Sequence, residues 1–119
     1  MAKEYIADKV FGKINYTVEK LISADYENCE FNNCDFSNSD LSGLNFTDCK
    51  FINCNLSSVK LTQTTLADIQ FRDCKMLGLH FEDCNEFIFS AAFDNCTLNF
   101  SSFYRRKLKK INFSNFEYL

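Results

Sequence analysis

At 119 residues, 46% hydrophobic and 16% aromatic, the chain carries enough apolar material for a packed core and makes one modest domain, which excludes disorder. A net charge of −3 and seven cysteines in a chain without any long apolar stretch exclude a signal peptide and a transmembrane helix. They point instead to a soluble cytoplasmic protein with reduced thiols, since an odd cysteine count also argues against a disulfide framework.

In chain order, the first regularity begins at Ile6. Every fifth residue from there is large and apolar: Ile6, Phe11, Tyr16, Leu21, Tyr26, Phe31, Phe36, Leu41, Phe46, Phe51, Leu56, Leu61, Leu66, Phe71, Met76 and Phe81. At a 46% background, sixteen such hits in a row arise by chance less than about once in a hundred thousand trials, so the period is structural. A helix repeats near 3.6 and a strand near 2, so neither explains a five. Glu4, Lys9 and Glu19 stand where the repeat wants small apolar residues, and residues 1–24 are therefore expected to form an irregular capping coil.

From residue 25 the other places of the repeat become regular too. Two residues before each centre stand small or apolar side chains such as Ala24, Cys29, Cys34, Cys49, Cys54 and Cys74. The residue just before the centre is polar, as at Asp25, Glu30, Asp35, Asp40, Asn45 and Asn55, and the residues after it are mostly the turn formers Asn, Ser, Thr, Asp and Gly. Each repeat thus reads as a short extended segment and a turn. If each turn is about a right angle, four repeats close a coil of twenty residues and stacked coils bury one inner column. The expected ladders are Tyr26, Phe46, Leu66; Phe31, Phe51, Phe71; Phe36, Leu56, Met76; and Leu41, Leu61, Phe81. After Phe81 the register slips by two within EDCNEFIFSAAF, and Ile88, Phe93, Leu98, Phe103, Leu108, Phe113 and Tyr118 continue it. The second register also puts Arg106 inward, which requires a distortion or a carboxylate partner.

Chemistry finds few candidates. All seven cysteines fall on inward positions, so the C-x4-C spacings at 29/34 and 49/54 follow from the period and no metal site is expected. Stacked cysteines have parallel Cβ directions, poor geometry for a disulfide. His80, the single histidine, sits on an outward position without a nucleophile held beside it, and three scattered glycines cannot cradle a phosphate. The chain is expected not to be an enzyme and to need no cofactor. Residues 25–104 carry twelve acidic and four basic side chains, whereas residues 105–119, with RRKLKK at 105–110, carry five basic and one acidic. A long acidic rod of this kind repels nucleic acid.

The pattern A/C/S-[DEN]-[LF]-x-x resembles the pentapeptide-repeat family. That resemblance implies an all-β fold, a right-handed quadrilateral β-helix of about 5–6 coils of twenty residues, here over residues 25–119 with the register break at about 82–92. Within the family, the stretches VFGKINYTVEKL, YENCEFNNCDFSNSDLSGLNFTDCKF, FRDCKMLGLHFEDC and FIFSAAF are similar to the N-terminal half of the Qnr-type quinolone-resistance proteins. This implies a DNA mimic acting on DNA gyrase and topoisomerase IV. The residues it brings forward as partner contacts are the outward acids Asp25, Glu30, Asp35 and Asp40 and the loop residues Glu82, Asp83, Glu86 and Phe87. The alternative is a generic protein-protein interaction scaffold. Because the sequence stops at NFSNFEYL in mid-pattern, Phe103, Phe113, Phe116 and Tyr118 are expected at an open end through which two chains form a dimer.

Overall fold

The structure, a computed structural model, describes residues 4–104 and 111–114. Nine strands are present among them: β1 Glu4–Ala7, β2 Val10–Gly12, β3 Ala24–Glu27, β4 Glu30–Asn32, β5 Asn45–Thr47, β6 Lys50–Ile52, β7 Thr65–Arg72, β8 Phe89–Asp94 and β9 Ile111–Ser114. All pair in parallel, and partners lie twenty residues apart, as in Tyr26↔Phe46 and Phe31↔Phe51, except between β7 and β8, where they lie twenty-two or twenty-three apart. Four repeats therefore close one storey of a right-angled β-solenoid. β1, β3 and β5 form wall one, β2, β4, β6 and β9 wall two, and β7 and β8 run across both. Wall three is stitched by single bridges through Asn15, Asp35, Asn55, Lys75 and Thr97, and wall four by Asp40↔Lys60 and His80↔Ser102.

The corners turn because their residues accept a left-handed backbone. Asp8, Asn28, Asp48 and Asp68 line the corner between walls one and two with φ of 60°, 51°, 53° and 55°. Asn and Asp pay least for this among residues with a side chain. The next corner repeats the solution at Asn33, Asn53, Asp73 and Asn95.

Inside, the expected centres from Tyr26 to Phe81 are buried. On wall two, Phe11, Phe31, Phe51, Phe71, Phe93 and Phe113 form one column with successive ring centroids 4.9, 4.9, 5.3, 5.1 and 5.3 Å apart. Neighbouring columns meet it edge to face, as Phe46 does Phe51 at 5.5 Å and 68°. Stacked and perpendicular contacts are the two favourable aromatic geometries, and each buried Phe contributes roughly 1.5–3 kcal/mol by leaving water. The space left among Phe51, Leu56, Phe71 and Met76 is about 10 Å³, too little for a ligand.

The position two before each centre has a second task. Cys49, Cys54, Cys74 and Cys96 are free thiols that donate to the carbonyls of Tyr26, Phe31, Phe51 and Phe71 at 3.6, 3.2, 3.1 and 3.3 Å. The buried hydroxyls of Thr64 and Ser101 do the same for Leu41 and Met76 at 2.7 and 2.8 Å. A small side chain with a donor is thus useful there because it adds a hydrogen bond to a carbonyl of the storey below. Hydrogen bonding with the adjoining thiols of Cys54 and Cys96, and then burial, push the Cys74 thiol far up, so it stays protonated.

Three expectations need correction. The opening coil is regular on three walls, with β1 paired to β3, β2 to β4, and Asn15 bridged to Asp35; only residues 17–23 depart from the pattern. Glu4, Lys9 and Glu19 are tolerated because they are exposed there. At the register break it is Phe89, not Ile88, that faces Leu66, and Ile88 is 49% exposed. The ladder takes up the mismatch as a bulge between Leu66 and Ile69, after which Phe71↔Phe93 restores the column. Finally, extents of 36 × 29 × 22 Å describe a short prism rather than a long narrow rod. Arg106 and Leu108 lie outside the described residues.

Candidate protein interaction surface

With the interior filled, recognition is left to walls, corners and the 82–88 segment. Asp25, Glu30, Asp35 and Asp40 each precede a centre of one coil, so they lie one on each of four walls and cannot meet a single partner face. Their carboxylates are also engaged locally. Asp35 accepts from the N–H and hydroxyl of Ser37 at 2.9 and 2.7 Å, and Asp40 from the N–H of Ser42 at 2.9 Å. These are Asx turns that shape the corner. The Ser42 hydroxyl and N–H, with Lys60 in the storey above, hold the Asp40 carboxyl below its usual range. Asp25 accepts from Asn45 at 2.7 Å and Glu30 from Asn32 at 2.7 Å.

A different set is aligned. Asp8, Asp48 and Asp68 share one corner column, interrupted only by Asn28, whose amide donates to Asp8 at 2.8 Å. Wall one beside it adds Asp25 and Glu27, and its outward positions at Tyr5, Ala7, Asn45, Thr47, Thr65 and Ala67 carry no basic residue. Walls two, three and four, by contrast, mix in Lys50 and Arg72, Lys75, and Lys60. Storeys are about 4.8 Å apart, so Asp48 and Asp68 are near neighbours and Asp8 stands two storeys away from Asp48. Asp8, Glu27, Asp48 and Asp68 were not among the sequence candidates, although a spacing of twenty links Asp8, Asn28, Asp48 and Asp68 in the sequence itself.

The 82–88 segment is held in place and presents an apolar tip. Asn85 is fixed by its N–H to the Thr64 carbonyl at 2.9 Å and by its amide to the Thr65 hydroxyl at 3.2 Å, and its side chain caps the Phe87 N–H at 2.9 Å. Phe87 is left 87% exposed, with Asp83 and Glu86 exposed nearby. Glu82 instead turns to wall four, where the Ser102 hydroxyl lies 2.9 Å from both carboxylate oxygens and His80 Nδ1 lies 3.1 Å from that hydroxyl.

Serine, histidine and glutamate in contact do not make a nucleophilic site here. The Ser102 hydroxyl gives its proton toward Glu82, while a triad needs it aimed at the imidazole with the carboxylate behind. His80 is exposed on a flat wall with nothing arranged to stabilise an oxyanion. The cluster is a clamp between storeys. Burial pushes the Glu82 carboxyl up, but its own N–H, the Ser102 hydroxyl and His80 outweigh this and hold it below the usual carboxylate range. A lowered folded-state value means that the contact stabilises the fold above the unfolded glutamate pKa, near 4.3, and is lost as pH falls through the folded value. In Ser102→Ala, an NMR pH titration of Glu82 is expected to show a midpoint moved upward, and an unchanged midpoint would refute the clamp.

Of the aromatic residues expected at an open C-terminal end, Phe103 and Phe113 are half-buried instead. Phe103 stacks on Phe81 at 4.6 Å, and Phe113 on Phe93 at 5.3 Å. Phe116 and Tyr118 lie outside the described residues. Among the described residues no group of His, Cys, Asp or Glu could hold a metal ion, and no helix is long and apolar enough to cross a membrane.

The family model described as a pentapeptide repeat region matches residues 24–87, more than half of the chain. The chain belongs to the pentapeptide-repeat family. No curated protein sequence matches it significantly. Among solved structures, this pentapeptide-repeat chain is similar to the pentapeptide repeat protein Rfr23 of the cyanobacterium Cyanothece 51142. The two are 14% identical over 98% of this chain and 84% of that one, with a TM-score of 0.59. Similarity extends to a trypsin-treated form of QnrB1, a plasmid-mediated fluoroquinolone resistance protein, with 18% identity, 95% and 84% coverage and a TM-score of 0.36. Full-length QnrB1 gives 12% identity, 95% and 92% coverage and a TM-score of 0.34. At these identities the likeness to Rfr23 speaks for the shared β-solenoid alone.

Proposed function

We propose that this pentapeptide-repeat protein is a non-catalytic scaffold that binds a protein partner through wall one and the 82–88 segment. The observation that carries this reading is the segregation of charge: Asp25 and Glu27 on a wall without a basic residue, flanked by the Asp8, Asp48 and Asp68 corner. Aligned carboxylates on a flat wall repel nucleic acid and attract a basic protein surface, and Phe87 supplies an apolar anchor at the rim.

The partner class this chemistry suits is a type II topoisomerase, whose DNA-binding surface is built to take a line of negative charge. The acidic excess of residues 25–104 and the sequence resemblance to Qnr-type proteins support that narrower reading. The test is a gyrase supercoiling assay with and without a quinolone. Inhibition or protection at micromolar protein is expected, weakened at least about tenfold by the combined Asp48→Asn and Asp68→Asn changes. Both positions accept asparagine because Asn28 already occupies the same corner conformation. No effect of the unaltered protein on supercoiling or on quinolone action would remove the topoisomerase and leave the scaffold with a partner of another class.

A further inference from the structure

The opening storey presents two strands whose outer edges are unpaired among the described residues. β1 and β2 bond upward to β3 and β4, with the N–H groups of Asp8 and Lys13 donating to Glu27 and Asn32 at 3.1 and 2.9 Å. Peptide groups alternate in direction along a strand, so those of Tyr5, Ala7, Val10 and Gly12 point away from the stack. Beside them Tyr5 and Val10 are 65% and 70% exposed, and the inward-facing Ile6 and Phe11 are only half-buried.

The sequence across this edge, EYIADKVFGK at residues 4–13, has charges antisymmetric about its centre. The centre, between Asp8 and Lys9, is also the corner between walls one and two, since Asp8 carries the left-handed turn. We infer that two copies of this chain join head to head here, about a two-fold axis through that corner, with β1 of each copy pairing antiparallel to β2 of the other. The axis sets Glu4 across from Lys13 and Asp8 across from Lys9, so every charge of the edge meets its opposite. It also sets Tyr5 across from Gly12, Ala7 across from Val10, and Ile6 across from Phe11. Gly12 adds no side chain opposite Tyr5, whose hydroxyl bonds the Glu27 carboxylate of the storey above, and the exposed floor of one core closes on the other. An isologous interface requires such self-complementarity, and the acidic wall cannot supply it because like charges would face each other. Open edges elsewhere are usually blunted by charge that repels a copy; here the charge pattern invites one.

The test is sedimentation equilibrium on the full chain. The unaltered protein is expected to dimerise reversibly. Lys9→Glu with Lys13→Glu, and separately Glu4→Lys with Asp8→Lys, are each expected to weaken self-association on the order of a hundredfold by facing like charges. An equimolar mixture of the two variants is expected to form a heterodimer, because every pair is complementary again. That rescue also shows that both variants fold, and far-UV circular dichroism checks it independently. The proposal is overturned by an unaltered protein that stays monomeric at millimolar concentration, by a dimer indifferent to the lysine reversals, or by a dimer lost only on Phe116→Ala or Tyr118→Ala, which would place the contact at the other end. It is distinguishable from the scaffold reading because it uses the lower edge of β1 and β2 rather than the outer face of wall one, and the lysine reversals test it while leaving Asp8, the residue both readings share, in place.

Discussion

Phe51→Ala is expected to lower the free energy of unfolding by about 3–5 kcal/mol, the largest effect of any single side chain in the fold. Phe51 is 1% exposed and lies at the crossing of two packing directions. It stacks between Phe31 at 4.9 Å and Phe71 at 5.3 Å, and it receives the edges of Phe36 at 5.8 Å and Phe46 at 5.5 Å. Removing the ring deletes buried area and leaves a hole that the neighbours cannot fill, because each is fixed on a rung by backbone bonds on both sides. Phe51→Leu keeps most of the volume and is expected to cost well under half as much. Denaturant unfolding followed by circular dichroism measures both, and a loss below about 1 kcal/mol for the alanine variant would contradict the stacked column.

The second large effect is expected from a hydroxyl. Thr64 is fully buried, and its Oγ1 donates to the Leu41 carbonyl at 2.7 Å. Thr64→Val keeps the shape and removes the donor, leaving that carbonyl only the longer bond from the Leu44 N–H at 3.2 Å, at a cost of about 0.5–1.5 kcal/mol. Thr64→Ser keeps the donor and is expected to lose less than the valine variant, despite its smaller volume. If valine proves the milder change, the link between storeys through this position is not what makes a polar residue acceptable in the core. The cysteines at equivalent places, such as Cys54, Cys74 and Cys96, donate to carbonyls of the storey below in the same way.

The core was readable because two side chains in every five, the centre and the residue two before it, face inward. Phe31, Phe36, Phe46 and Phe51 announce themselves by spacing alone, and all are buried. The choice between Ile88 and Phe89 was not readable. Both are large and apolar, and only the bulge opposite Leu66 and Ile69 decides which one turns in. Counting acids likewise showed an acidic body but not where the acid gathers. Asp25, Glu30, Asp35 and Asp40 were conspicuous by their five-residue spacing, yet that spacing distributes them over four walls. Alignment on one corner requires a spacing of twenty, which Asp8, Asp48 and Asp68 satisfy. The contact of His80 with Ser102 escaped for a related reason, since it spans twenty-two residues across the register break rather than twenty.

The bulge at β7 and β8 settles a problem that near-identical storeys create. A chain whose rungs all look alike could thread one floor too high or too low during folding, with Phe31 finding Phe71 in place of Phe51 at little energetic penalty. Phe89 meets Leu66 twenty-three positions on, and Ala91 meets Ile69 twenty-two on, a mismatch that no other pair of floors reproduces among the described residues. A mis-threaded chain would bring this kink against an even rung and forfeit the fit on either side. The two surplus residues therefore act as an index mark, giving a monotonous spiral a single correct count.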